Sequence, residues 1–200
     1  MNKVRLSKIL YLLIIFVLVT AIFLIYANIE PPYNFIFLLI AMFVFLIPGR
    51  VVGHYYRDFF TARKLLNKKN YEKSIKYNKR FIEQIEEKPW IKRLMWLSWG
   101  IYTKDIEAMS FNNIGTALLH MEEYNQSKDY FEKAITIDES YPLPHFNLAI
   151  IYLIEGDKEM AHNYYRDAGK LGFKGTSFDK LVNKIQELYA SVEGKIEEKE

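Results

Sequence analysis

The feature that most constrains this chain is a long run of uncharged residues near its start. From Ile9 through Ala27, 19 consecutive side chains carry no charge, and most of them are Ile, Leu, Val or Phe. In an α-helix such a run is about 28 Å long, which matches the hydrocarbon core of a bilayer. A second uncharged run extends from Tyr33 through Gly49. We therefore expect a transmembrane hairpin within residues 1–52, with spans at about 9–27 and 33–49.

A secretory signal peptide is the alternative interpretation of the first run, because Lys3, Arg5 and Lys8 precede it. Signal peptides have a shorter apolar region of about 7–15 residues and end in a small-x-small cleavage site, and this sequence has no such site after the run. Two adjacent prolines, Pro31 and Pro32, separate the two runs. A helical hairpin is favoured, since each helix then satisfies its own backbone hydrogen bonds inside the lipid.

Basic residues lie on the outer sides of both predicted spans, and the connection between the spans has none. The positive-inside rule therefore predicts that both termini face the cytoplasm. Neither span contains Asp, Glu, Lys, Arg or His, which disfavours a transporter and favours an anchor. The chain has no cysteine and is rich in Lys, Asn, Ile and Tyr. We expect an integral protein of the bacterial inner (cytoplasmic) membrane with two spans.

The rest of the chain contains an internal repeat with a period of 34 residues, in which small residues fall on small residues and large on large. In residues 108–141 the repeating positions are Phe111, Ile114, Gly115, Leu118, Tyr124, Ser127, Phe131 and Ala134. In residues 142–175 they are Leu148, Ala149, Tyr152, Gly156, Ala161, Tyr165 and Ala168. This pattern resembles the tetratricopeptide repeat, a helix-turn-helix unit of that length. The second copy departs from the pattern at His145, where a large aromatic is usual, and at Lys158, where a tyrosine is usual.

A weaker copy precedes these two, in residues 55–88, where the matching residues are Ala62, Leu65, Tyr71, Ser74 and Phe81. The alternative is an unrelated helical hairpin. An apolar stripe at helical spacing predicts a capping helix over residues 177–192, followed by a charged tail at 193–200 that we expect to be frayed. The resemblance thus implies an all-α fold: a two-helix transmembrane hairpin, then an α-solenoid of tetratricopeptide-like repeats with a C-terminal capping helix.

An insertion of about 19 residues, at 89–107, separates the weak copy from the next repeat and contains every tryptophan of the chain, Trp90, Trp96 and Trp99. It also contains Lys92 and Arg93, within a segment that has many more basic than acidic residues. Tryptophan and basic residues favour the headgroup layer of an anionic leaflet. We expect this insertion to contact the membrane surface, with packing against the repeats or against another protein as the alternatives.

The resemblance also implies a concave groove that binds a peptide, lined by the second, fifth, ninth and twelfth residues of each repeat. In this chain those residues, with the asparagines at the sixth position, are Met109, Asn112, Asn113, Thr116, Leu119, Leu143, Phe146, Asn147, Ile150 and Leu153. Asn113 and Asn147 resemble groove asparagines that hold a ligand backbone. The fifth position lacks the lysine that clamps a carboxylate in chaperone-binding members, so an apolar or amphipathic segment is favoured. In the alternative, the capping helix or a second copy covers part of this lining.

No motif for catalysis, metal binding or a nucleotide is found, so we expect neither an enzyme nor a cofactor. The basic segment adjoins the predicted anchor and carries no nucleic-acid motif, so anionic lipid is favoured over nucleic acid. The sequence predicts a membrane-anchored, cytoplasm-facing adaptor that binds a partner protein or peptide. The alternative is a structural subunit whose hairpin is the interaction site and whose repeats are a spacer. The sequence specifies neither the partner nor the oligomeric state.

Overall fold

The computed structural model describes residues 3–97, 103 and 105–197, and their side chains except those of residues 3–8, 96, 97 and 188–197. Every regular element in these ranges is a helix, so the predicted all-α class is confirmed. The elements are α1 (Lys3–Asn28), α2 (Tyr33–Tyr55), α3 (Arg57–Asn67), α4 (Tyr71–Glu87), a 3₁₀ helix (Pro89–Leu97), α5 (Ile106–His120), α6 (Tyr124–Ile137), α7 (Pro142–Ile154), α8 (Lys158–Lys170) and α9 (Phe178–Glu197).

The first two helices contain the uncharged runs, and both are long and apolar enough to cross a membrane, over Ile9–Asn28 and Tyr33–Tyr55. Their large side chains are almost all exposed, because little of the protein packs on them. The second helix continues six residues past the predicted end of its span at Gly49. The reason is that Val52, in this last part, is buried against the repeats and not in lipid.

A single residue, Tyr56, separates α2 from α3. Its N–H donates to the carbonyl of Val52 at 2.8 Å, and its carbonyl accepts from the N–H of Phe60 at 2.9 Å. Both bonds have the spacing of an α-helix, so the backbone hydrogen bonding continues across the junction. The soluble part therefore begins directly on the second apolar helix without a flexible linker.

Helices α3 to α8 form three successive helical pairs, each closed by a short turn. In the pair α5–α6, the hydroxyl of Ser127 donates to the carbonyl of Gly115 at 2.8 Å. In the pair α3–α4, the hydroxyl of Ser74 donates to the carbonyl of Ala62 at 2.9 Å. The two bonds join equivalent positions of the predicted copies, which supports the interpretation of residues 55–88 as a repeat.

The pair α3–α4 fills its interior differently from the pair α5–α6. Asn78 is buried at the position that corresponds to Phe131, and Phe81 is buried at the position of the small Ala134. The bulky ring therefore lies one helical turn further along α4. This shift explains why the weak copy matches the repeat pattern only in part.

The predicted insertion starts at residue 89 as expected, but its end and both ends of the cap differ from their expected bounds by one to five residues. Residues 89–97 form a 3₁₀ helix, and α5 begins at Ile106, where the side chain of Asp105 accepts from the N–H of Glu107 at 2.8 Å. This bond satisfies an otherwise unpaired donor at the helix start. The helix α9 continues to Glu197, beyond the predicted end at 192, because Glu and Lys in this stretch are good helix formers.

Candidate binding surface of the repeats

The predicted groove is covered by the 3₁₀ helix at the edge that lies nearest to α2. Met109 of α5 is buried, and Leu143 of α7 is half-buried, in a cluster that includes Ile91 and Met95 of the 3₁₀ helix. The same cluster contains Val52, Tyr56 and Phe59 from the α2–α3 junction. These predicted groove residues thus contact another part of the same chain.

The groove is also covered where the repeats end. Leu153 of α7 is buried beside Leu181 of α9, and Phe146 and Ile150 pack on the same cluster. The ring of Phe146 stacks on the ring of Phe173 with 4.1 Å between centroids. The apolar part of the predicted lining therefore packs on the capping helix and the turn before it, which was the alternative stated above.

Between these two covered parts lies a polar centre formed by α5 and α7. The side-chain amide of Asn147 donates to Oδ1 of Asn112 at 3.0 Å and lies 3.4 Å from Oγ1 of Thr116. Thr116 in turn donates to the backbone carbonyl of Asn112 at 2.8 Å. The half-buried Leu119 lies one turn beyond Thr116 on α5 and packs on Phe131 and its neighbours.

Asn113 lies beside this polar centre and is nearly buried. Its side-chain nitrogen has no hydrogen-bond partner among the described residues. A buried amide without a partner costs free energy. This centre, which we call the asparagine strip (Asn112, Asn113, Thr116 and Asn147), is the part of the predicted groove between the two covered parts. Asn112 and Asn113 are buried, whereas Thr116 and Asn147 are half-buried.

Comparison with known proteins bears on the pair α5–α6. The family model described as the tetratricopeptide repeat matches residues 108–141. Residues 108–141 are a tetratricopeptide repeat. No curated protein matches the chain as a whole. Tetratricopeptide repeats generally mediate protein–protein interaction, so the asparagine strip belongs to a fold whose usual partners are proteins.

The predicted insertion at residues 89–107, which we call the Trp-rich segment, has one side that faces inward and one that faces outward. Ile91 and Met95 are buried, whereas Trp90 and Arg93 are exposed. The ring of Trp90 meets the ring of Tyr55, at the end of α2, edge to face with 4.8 Å between centroids. The side chain of Trp96 and the whole of Trp99 lie outside the described residues. The segment thus contributes to the core and also presents an aromatic and a basic side chain beside the end of α2.

Lys92 is held by two carboxylates at the start of α5. Its ammonium group donates to the carboxylate of Glu107 and lies 3.7 Å from that of Asp105. Burial lowers the pKa of Lys92, but the hydrogen bond to Glu107 and the charges of both carboxylates outweigh it, so the pKa lies above its usual value. Its charge is therefore largely engaged within the protein, and Arg93 is the basic residue of this segment that faces solvent.

Sequence reasoning missed the residues that attach the Trp-rich segment to the rest. The phenol of Tyr56 donates to the carbonyl of Ile91 at 3.2 Å, and burial, followed by the charge of Asp105, raises the pKa of Tyr56. Thr103 donates to the buried carboxylate of Asp138, at the joint before α7. No motif marks these contacts. The only available signal was that Tyr56 shares a helical face with the apolar Val52 and Phe59.

Among the residues that the structure describes, no group of three or more His, Asp or Glu side chains is arranged to hold a metal ion. Burial lowers the pKa of His145 and raises the pKa of Tyr141, at the joint between α6 and α7. The arrangement around the asparagine strip provides amide donors and acceptors for recognition.

Proposed function

We propose that this chain is a membrane-anchored adaptor of the bacterial inner membrane. In this proposal α1 and α2 cross the bilayer, both termini lie in the cytoplasm, and the repeats bind a segment of a partner protein at the membrane surface. The observation that carries the proposal is the shared core: Val52 and Tyr56, at the end of α2, pack in one cluster with Met109 of the tetratricopeptide repeat. A domain built in this way is held at a set height above its anchor.

The asparagine strip is the part of the repeats that we propose for partner binding. The apolar lining on either side already packs on the 3₁₀ helix and α9. The strip offers the hydroxyl of Thr116 and the amide of Asn147, which are half-buried, and the unpaired amide nitrogen of Asn113 is buried beside them and would be reached only after a local rearrangement. Such groups suit the backbone of an extended peptide, since each peptide unit has one donor and one acceptor. Leu119, at the end of the strip, would accept an apolar side chain.

The alternative function, in which the hairpin is the interaction site, has one observation in its favour. Large side chains of α1 and α2 are highly exposed, for example Phe16 at 71% and Tyr33 at 68%. Such a surface requires lipid or the apolar helices of another protein to cover it. In this case the repeats would act only as a spacer.

A photo-crosslinking experiment on the full chain in intact cells distinguishes the two functions. A photoreactive residue is placed at Asn147 in the strip or, separately, at Phe43 in α2. Phe146 is unsuitable for this purpose because its ring stacks on Phe173. We expect the Asn147 probe to capture one partner protein, and the capture to be lost when Asn113 is replaced by Ala. Capture from Phe43 alone, with no product from Asn147, would refute the adaptor function and favour the alternative.

The Trp-rich segment is proposed to contact the headgroup layer through Trp90 and Arg93. This proposal is supported by the ring contact between Trp90 and Tyr55, because Tyr55 ends the second apolar helix. Amphipathic aromatic rings favour the interface between lipid and water. Because Glu107 engages the charge of Lys92, the change Arg93→Glu tests this headgroup contact more directly than a change of Lys92 does.

A further inference from the structure

A row of exposed basic residues runs along one side of the α2–α3 rod. Arg50, Arg57 and Lys64 are seven residues apart, and Lys68 follows four residues later; all four are exposed. This spacing places side chains on the same side of a helix. The opposite side of the rod carries the buried core residues described above. We call these four residues the basic ridge.

Helix α4 adds further positive charge next to the ridge. Arg80 of α4 lies 3.5 Å from the carboxylate of Asp58 on α3, which places its side chain beside that helix. Lys73, seven residues earlier on the same face of α4, is exposed. Between residues 63 and 80 there are eight Lys or Arg residues and one acidic residue, Glu72.

The lysines of this surface have no carboxylate to neutralise them. In the described part of the chain, no carboxylate oxygen lies within 4 Å of Lys64, Lys68 or Lys73. This distinguishes them from Lys92, whose charge is engaged by two carboxylates. An uncompensated positive surface of this kind attracts an anionic partner.

One exposed aromatic residue, Phe60, accompanies these charges, whereas Trp90 packs on Tyr55, on the other side of the rod. Outside the hairpin, the two large apolar side chains with the highest exposure among the described residues are Trp90 at 45% and Phe60 at 42%. Phe60 lies three residues after Arg57 and four before Lys64, so it shares the face of the basic ridge. Aromatic rings among basic side chains, beside the end of an apolar helix, are typical of a surface that contacts lipid headgroups.

We propose that the basic ridge lies against anionic phospholipid headgroups of the leaflet from which α2 emerges. This inference rests on the proposed membrane anchoring. Arg50 follows directly on the uncharged run that ends at Gly49, so the ridge begins in the headgroup layer. Lys64 is then at most about 21 Å further along the helix. A lipid surface is favoured over nucleic acid or an acidic protein because the anchor holds it permanently within this reach.

The direction of the rod can change at Tyr56. Tyr56 has φ of −97° and ψ of 13°, which depart from α-helical values, so α3 need not follow the axis of α2. The repeats are fixed relative to α2 because Val52 of α2, Phe59 of α3 and Met109 of α5 share one core.

The test uses the full chain reconstituted in vesicles of phosphatidylcholine, with or without phosphatidylglycerol. The chain has no cysteine, so Thr61→Cys gives one site on the ridge for a fluorescent label, and Asn125→Cys on α6 gives a control site. Quenching by spin-labelled headgroups reports contact with the surface. We expect quenching at residue 61, but not at residue 125, only in vesicles with phosphatidylglycerol, and its loss at high salt.

Charge neutralisation then tests the residues themselves. Lys64→Gln, Lys68→Gln and Lys73→Gln together should weaken the contact by about fivefold for each side chain. A matched variant, Lys158→Gln, Lys174→Gln and Lys180→Gln, removes the same charge from exposed sites at the other end of the repeats and should leave quenching unchanged.

Each contrary outcome has a distinct meaning. If the chain floats with the vesicles but residue 61 is quenched equally in both lipids, the ridge proposal is wrong and the anchor stands. If the chain does not float with vesicles, the anchoring itself fails. If an oligonucleotide added at low salt abolished the quenching at residue 61 in anionic vesicles, the ridge would prefer nucleic acid to lipid, and the proposal would be overturned.

Discussion

Gly115 and Phe131 show how a single pair of residues sets the distance between two helices. A Cβ atom at position 115 would lie 2.6 Å from Cε1 of Phe131, closer than carbon atoms approach in proteins. The ring cannot move away because Phe131 is fully buried. The equivalent position in the next pair holds Ala149, and the ring there is Tyr165, which is only half-buried. The space between the two helices is thus most restricted at Gly115, in the tetratricopeptide repeat.

We predict that Gly115→Ala destabilises the protein. Alanine favours a helix over glycine by about 1 kcal/mol, but overpacking a buried site costs about 1–3 kcal/mol, so we expect a net loss of up to about 2 kcal/mol in the free energy of unfolding. Thermal unfolding followed by circular dichroism, with the full chain in detergent, measures this. Gly169→Ala is the matched control, since no atom lies within 4 Å of its added Cβ, and it should be neutral or stabilising.

A second change relieves the clash and makes the prediction sharper. Phe131→Leu removes the part of the ring that the new methyl group would meet. In the double variant Gly115→Ala, Phe131→Leu, the alanine should cost less than it does beside phenylalanine. An equal cost in both backgrounds would show that the contact with Phe131 is not the reason for glycine at this position.

His145 provides a prediction about pH. Burial lowers the pKa of His145, and the carbonyl of Glu139 and the charge of Asp167 oppose this only in part. The unfolded chain therefore binds a proton more readily, from its ordinary pKa of about 6.5 downward. Stability is fully present above this pH and should fall as the pH drops toward the lower pKa of the folded state, by at most about 1.4 kcal/mol per pH unit for one proton.

The variant His145→Phe isolates this contribution. Phenylalanine restores the aromatic residue that is usual at this position and has no proton to bind. Melting temperatures of both proteins are compared between pH 7 and pH 5. We expect the wild-type chain to lose more stability than the variant over this range, and identical pH profiles would contradict the assignment to His145.

At the scale of whole elements, the sequence predicts features that depend on a local pattern of residues. It does not predict which segment of the chain packs over which surface. The two apolar helices and the repeat of 108–141 were evident because length, hydropathy and small residues such as Gly115 need no tertiary context. The covering of Met109 and Leu143 was not predictable, since an apolar concave position looks the same whether a ligand or Ile91 packs on it. The residues of the polar centre were predicted, but the hydrogen bonds between them were not.

Helix α9 covers the apolar residues at one end of the predicted groove. Among the side chains of α9 that the structure describes, Leu181 is the one that is buried in the cluster with Leu153 and Ala161. We predict that Leu181→Ala loosens α9 by about 2 kcal/mol, the lower limit for such a change, which corresponds to more than tenfold faster amide exchange. Hydrogen exchange measured by mass spectrometry should show this within α9, while peptides from α3 and α4 remain unchanged.

Lys184→Ala is the control for α9, because Lys184 is exposed on the same helix. This change should leave exchange in α9 nearly unaffected. If both variants behave alike, then Leu181 does not hold the helix in place, and the cover over Phe146 and Ile150 is maintained by other contacts.

At the scale of the whole molecule, the boundary between anchor and repeats does not coincide with the boundary of the apolar run. Val52 and Tyr56 follow that run, yet both are buried in the core that contains Ile91 and Met109. Basic charge, exposed aromatic residues and this core all meet at the exit of α2. Helix α2 and the repeats thus share one core, which is the property that the proposed adaptor requires.

Two fragments of the chain test whether the end of α2 stabilises the repeats. A fragment of residues 50–200 retains Val52 and Tyr56, whereas a fragment of residues 57–200 lacks both. Burial of a large apolar side chain contributes about 1.5–3 kcal/mol, so the shorter fragment should be less stable by about 4 kcal/mol. For a chain of this size the melting temperature should fall by about 10 °C. In the longer fragment, Val52→Ala with Tyr56→Ala should reproduce most of the loss, because it removes the same contacts without shortening the chain. Equal melting temperatures for the two fragments would mean that the repeats are independent of the anchor, and the spacer alternative would then gain support.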